Sequence, residues 1–162
     1  PEIARMQAFK GAEIFCHPTS EVGSPTLTPK HITKKARAIE NIAYVVSANS
    51  AEIIGTPVPS ASTDGMSIVL DWYGRSLAEA NQGETINAQA VLDIGALRDT
   101  RRKTGMTNTL SRLPNAAFAS AYGQANHSPA NRTPDAQMIE RKDAIAQQQA
   151  VIDRLVASGV LK

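Results

Sequence analysis

One thiol, three imidazoles and scattered hydroxyls and carboxylates are the groups in this 162-residue sequence that could make or break a bond. The thiol, Cys16, lies in Ile14-Phe15-Cys16-His17. A cysteine becomes a nucleophile when a base or cation beside it favours the thiolate. An apolar strand does the reverse, and in a strand His17 would point to the face opposite Cys16. The residues therefore predict a buried, inert cysteine. His17, His31 and His127 stand far apart, with no carboxylate or thiol at ligand spacing, so they predict three surface or loop histidines and no metal site. Pro18-Thr19 and Asn49 end two apolar runs. Strand ends are where layered α/β proteins bind ligands, which makes Pro18, Thr19 and Asn49 candidates for ligand contact. A turn-closing hydroxyl accounts equally for Thr19, and holding a loop is the favoured role for Asn49. Asp71, Glu84 and Asp93 read as turn or cap carboxylates. Gly74 and Gly105 are isolated, so no glycine-rich phosphate loop is present.

The elements that must position these groups follow from periodicity. Ile3, Met6 and Phe9 recur at helical spacing after Pro1, and Gly11 suits a left-handed stop, giving a helix over 1–10. Residues 13–16 read as a short buried strand stopped by Pro18, and 17–28 as a loop. Thr28-Pro29 is a helix start, and the helix runs to about Asn41 with Ile32, Ala36 and Ile39 on one face. The near-continuous apolar run 42–49 reads as a strand buried on both faces. Residues 66–71 and 76–80 form a hairpin about Trp72-Tyr73-Gly74-Arg75. Alternation over 84–92 predicts another strand. Asp93 caps a short helix through about Lys103, whose Arg98, Arg101, Arg102 and Lys103 read as a solvated basic face. Residues 104–134 read as irregular, with a short helix near 115–122. Thr133-Pro134-Asp135 opens a long amphipathic helix over about 135–158, with Met138, Ile145 and Ile152 seven apart and Gly159 as its stop. Two regions result, 1–103 and a C-terminal extension 104–162. Strands and helices alternate as in an α/β or α+β layered fold.

Charge is balanced at +2, which speaks against a nucleic-acid partner. No apolar run reaches membrane-spanning length. The single cysteine excludes an intrachain disulfide and fits a reducing, cytoplasmic setting. No charged n-region followed by an apolar h-region marks a signal peptide.

Several segments in order resemble the nitrilase superfamily, the carbon–nitrogen hydrolases. Pro1-Glu2-Ile3-Ala4-Arg5, Gly11-Ala12-Glu13-Ile14 and Pro18-Thr19 are similar to the family's helix and strand after its nucleophile. Arg37-Ala38-Ile39-Glu40-Asn41 with Tyr44-Val45-Val46 and Ala48-Asn49 is similar to its next helix and strand, and is the most specific match. Gly65-Met66-Ser67-Ile68 with Asp71 and Gly74 resembles its Gly-x-Ser hairpin, and Val91-Leu92-Asp93, Leu97-Arg98 and Arg101 its closing strand and helix. The sequence departs from the family at Lys30-His31-Ile32-Thr33, where many members carry a tryptophan. The resemblance implies part of a four-layer αββα sandwich that hydrolyses an amide, nitrile or N-carbamoyl compound without a cofactor. It implies a Glu, a Lys and a Cys acting through a thioester or thioimidate, all upstream of Pro1, so that this chain alone is inactive. It sets Thr19 beside the nucleophile as substrate contact. It implies a homo-oligomer formed through helices 1–10 and 29–41, with Arg37 and Glu40 at the interface. The alternative is a non-catalytic half-sandwich that binds a partner through its exposed sheet edges.

Overall fold

The computed structural model describes residues 1–23, 29–125, 127 and 139–162. They form two compact units, Pro1–Leu113 and Pro114–Lys162. In the first, β1 (Ile14–Thr19), β2 (Tyr44–Asn49), β3 (Ile68–Leu70) and β4 (Ser76–Glu79) make one four-stranded sheet in the order β1-β2-β3-β4. β1 and β2 are parallel, with Ile14 opposite Tyr44 and Thr19 opposite Asn49. A parallel pair needs a long crossover, and α2 (Pro29–Asn41) supplies it. The pairs β2–β3 and β3–β4 are antiparallel. The hairpin turn is tied by the Asp71 carboxylate, which accepts from the backbone N–H groups of Tyr73 and Arg75. Gly74 takes φ +75° there, against the Ile39 side chain.

Paired strand residues share a face of the sheet, and the two faces are unlike. One carries Phe15, Val45, Ser47, Ile68 and Leu70, all buried, and packs on Ala8 of α1 (Glu2–Phe9) and Ala38 of α2. The other carries Ile14, Cys16 and Pro18, all exposed, with Ala48 exposed and Val46, Val69 and Ala78 half-buried. Only Tyr44 is buried on that side, beside Leu97 of α3 (Ile94–Arg102) and edge-on to Trp72 at 5.2 Å. Burial pushes the Tyr44 hydroxyl above its ordinary pKa. The expectations of a buried strand at 13–16 and of a strand buried on both faces at 42–49 are therefore corrected: the described residues cover one side of this sheet only. β1 also runs on through Pro18, which an edge strand tolerates because the missing N–H leaves no ladder bond unmade inside the sheet.

The covered faces of α1 and α2 are not their large apolar stripes, and two further expectations change. The buried face of α2 is His31, Lys34, Ala38 and Asn41, while Ile32 and Ile39 are 64% and 49% exposed. On α1, likewise, Ile3, Met6 and Phe9 face outward and Ala8 is buried. Residues 84–93 form no strand, and Val91 is 94% exposed. Alternation cannot make a strand without a neighbour to take its hydrogen bonds. The basic stretch is a solvated face at Arg98, Arg102 and Lys103 but not at Arg101. Arg101 donates to the carbonyls of Ala12 (2.7 Å), Ile42 (2.8 Å) and Asn41 (3.2 Å). It thereby caps the C-terminus of α2 and ties α3 to the start of β1. Burial lowers its pKa. Ile42, a β-branched residue at φ +45°, occupies the left-handed position after α2 that glycine usually takes. Its side chain is buried and its carbonyl is held by Arg101. Arg98, by contrast, pairs with Glu13 at the surface and holds that carboxyl below its usual pKa.

The second unit contains α4 (Asn115–Gln124) and α5 (Arg141–Ala157), neither with a buried residue. Arg154 donates to the His127 carbonyl at 2.8 Å. Gly159 follows α5 at φ +75°. The helix start expected at Thr133-Pro134-Asp135 lies outside the described residues, as does Met138. Ile139 and Glu140 precede the helix, which begins at Arg141.

Replacing Arg101 with alanine strands three carbonyls and should lower the urea-unfolding free energy by about 2–3 kcal/mol. Arg98→Ala, at an exposed pair, should leave the midpoint almost unchanged.

Candidate functional site

The C-terminal ends of the parallel strands β1 and β2 gather the polar side chains of the first unit. Thr19 is half-buried, and its carbonyl accepts from Ser50 N–H at 3.3 Å. Pro18 beside it is exposed. Asn49 is engaged at both ends of its amide: its Oδ1 accepts from Glu21 N–H at 2.7 Å, and its Nδ2 donates to Asp64 Oδ1 at 2.5 Å. An amide so committed holds loops.

Behind it lies a group of buried ionisable side chains. Lys34 Nζ donates to Glu21 Oε2 at 2.6 Å, and His31 Nε2 is 3.8 Å from Asp64 Oδ2. All four residues are buried. Ligand-capable atoms of Glu21, His31 and Asp64 lie within 4.8 Å of one another. The expectation of a surface or loop histidine at position 31 is thus corrected: α2 carries it inward, toward carboxylates 10 residues before and 33 after it in sequence. Linear spacing cannot reveal a cluster assembled from the loop after β1, the helix and the loop before β3. One signal is available. His31, Lys34, Ala38 and Asn41 recur at helical spacing, so a continuous stripe on α2 is legible as a stripe.

A groove of about 450 Å³ runs beside the cluster, lined by residues that include Pro1, Ile3, Cys16, His17, Glu21 and Lys34. Cys16 is exposed, not buried as the apolar strand predicts. Its neighbours along β1 explain this: Cys16 shares the open face with Ile14 and Pro18. His17 lies on the opposite face, where its Nδ1 is 3.1 Å from Ser47 Oγ. Thiol and imidazole therefore form no nucleophile–base pair, and the buried Lys34–Glu21 pair is also on the helix side of the sheet. His127 is half-buried in the second unit.

Arg37 and Glu40 lie together on α2 and form an ion pair. The Glu40 carbonyl accepts from Thr109 Oγ1 at 2.7 Å, and Asn41 Nδ2 donates to the Arg37 carbonyl at 2.8 Å. Arg5 of α1 is close enough for Glu40 to favour its charge, although burial is the larger influence and lowers its pKa. Asp93 caps α3 through Ala96 N–H, and Glu84 accepts from Asn81 N–H. Among the described residues no helix is long and apolar enough to cross a membrane.

Among known proteins, the chain is 31% identical over 107 residues to an omega-amidase of Saccharomyces cerevisiae, a stretch covering 66% of this chain and 35% of that protein. It is 36% identical over 104 residues to the human deaminated glutathione amidase, covering 63% of this chain and 30% of that one. In structure it is similar to a carbon–nitrogen hydrolase from Helicobacter pylori, with a TM-score of 0.59 at 22% identity, over 75% of this chain and 45% of the other. That likeness establishes the nitrilase-type layered fold. The chain thus spans about a third of the length of the curated relatives it matches. Residues 1–102 match the profile of the carbon–nitrogen hydrolases, and the chain belongs to that family.

Proposed function

We propose that this chain forms one side of the substrate pocket of an amide-cleaving carbon–nitrogen hydrolase. The observation that carries the reading is the family match over residues 1–102, joined to a sheet that is open on one face. In this reading a second layer of sheet covers Ile14, Cys16, Pro18 and Val46. The nucleophilic cysteine, the lysine and the glutamate then belong to that remaining part of the enzyme. The thiolate attacks the carbonyl carbon, and the ammonium stabilises the oxyanion. The glutamate carries the proton to the departing amine, and water releases the thioester. Amides are favoured over nitriles because both curated relatives described above are named as amidases. No cofactor is called for. Thr19 contacts the substrate and Pro18 shapes the strand end. The pocket domain is residues 1–103, with 104–162 as an extension. The setting is cytoplasmic.

Self-association is the second part of the proposal. Ile3, Met6 and Phe9 on α1 and Ile32 and Ile39 on α2 are exposed at 49% or more. Outward-facing apolar side chains on adjacent helices suit an isologous contact between two copies, with Arg37 and Glu40 fixing its register. A free-standing interaction module would use the same surfaces, but the family match favours the enzyme.

Three measurements test this. Incubated alone with a panel of amides and nitriles, the 162-residue chain should give no turnover. In an active enzyme containing it, Cys16→Ala should leave kcat intact and Thr19→Val should raise KM by roughly tenfold, the cost of one lost polar contact. Turnover abolished by Cys16→Ala would overturn the assignment. In sedimentation, the double substitution Ile32→Glu and Ile39→Glu should convert a self-associated chain to monomer. An unchanged sedimentation coefficient would remove these helices from the interface.

A further inference from the structure

We propose that Asp64, Glu21, Lys34 and His31 are positioning residues: a buried charged knot that fixes the loops around the C-terminal ends of β1 and β2. The proposal rests on the amidase reading only for what those loops enclose.

Asp64 is the centre of the knot and is 1% exposed. Its Oδ1 accepts from Asn49 Nδ2, and its Oδ2 faces His31 Nε2. Its backbone N–H donates to Glu21 O at 3.3 Å, and its carbonyl accepts from Gly83 N–H at 2.9 Å. The next residue, Gly65, donates to Ser50 O at 3.0 Å, and Ser50 in turn donates to Thr19 O. Asn49 relays the same restraint to the Glu21 backbone. Lys34 then draws the Glu21 side chain down onto α2. Four chain segments that are remote in sequence (after β1, after β2, before β3 and after β4) are held at one point.

Burying four ionisable groups is a poor route to stability, because desolvation offsets much of their attraction and apolar residues of the same volume serve as well. What such a group provides is a single geometry, since a shifted loop would leave a buried charge unpaired. That geometry is imposed where Thr19 emerges. The same chemistry separates this knot from a metal site. Glu21, His31 and Asp64 are a ligand set by type, but Glu21 Oε2 already holds the Lys34 ammonium and Asp64 Oδ1 already holds the Asn49 amide. A divalent ion would have to enter beside an existing cation, so Lys34 is the counter-charge of this site.

The test is residue-resolved hydrogen exchange on the full chain with Lys34→Met, Lys34→Arg and the near-isosteric Glu21→Gln. Lys34→Met and Glu21→Gln should speed exchange at the Glu21, Asp64 and Gly65 amides by roughly tenfold or more, as expected for lost local restraint. The Val45 and Leu70 amides should be unaffected, and Lys34→Arg should restore much of the protection. Acceleration spread equally to Val45 and Leu70 would show general loosening and overturn the proposal, as would unchanged loop amides. Millimolar Zn²⁺ or Mn²⁺ should leave the Tm of the parent chain unmoved. A saturable rise abolished by His31→Ala would make the cluster a metal site instead. These readouts need no turnover, so they stand or fall separately from the amidase reading.

Discussion

A β-sheet has two faces, and helices here cover one of them. Most of the molecule's organisation follows from that constraint. Phe15, Val45, Ile68 and Leu70 bury themselves against α1 and α2, and their neighbours Ile14, Cys16, Pro18 and Val46 are turned the other way by the pleat. An apolar sheet face is a surface a folded protein covers. In the proposed enzyme it meets a second sheet, which gives the αββα order of the family. The exposure of Cys16 then has a structural explanation and needs no chemical one.

Two polar devices hold the covered side in shape. Arg101 is the first: three backbone carbonyls from two junctions converge on one guanidinium, so α3, the end of α2 and the start of β1 move as one piece. The charged knot about Asp64 is the second, at the opposite ends of the same strands. Between them the apolar core is small, with alanine prominent at the helix contacts. Small residues let α1 and α2 lie close on the sheet. They also leave the large apolar side chains of both helices on the outside, available to another copy.

Much of the first unit is legible in the sequence. α1, α2, β2 and α3 lie close to where periodicity, Pro29 and Asp93 put them, because each has a local signal strong enough to survive packing. The hairpin is equally clear from Gly74 and Asp71. Burial is harder. Ile32 and Ile39 look like the inward face of α2, yet His31 and Lys34 are inward, because tertiary partners, and not hydropathy alone, decide which stripe is covered. The run 84–92 alternates like a strand and makes none among the described residues, since pairing is a property of two segments. The site divides the same way. Thr19 and Asn49 can be found as strand ends, whereas Glu21, Lys34, His31 and Asp64 meet only through the β1–α2–β2 crossover and the loop before β3, which leaves no fixed spacing to read.

The most direct test of the central claim is the accessibility of Cys16. The native chain is treated with iodoacetamide, and its labelling rate is compared with that of the same chain unfolded in urea. An open sheet face predicts native labelling within a few-fold of the unfolded rate. Protection by orders of magnitude, in a chain that remains monomeric, would mean that these 162 residues close both faces of the sheet themselves, and would contradict the account.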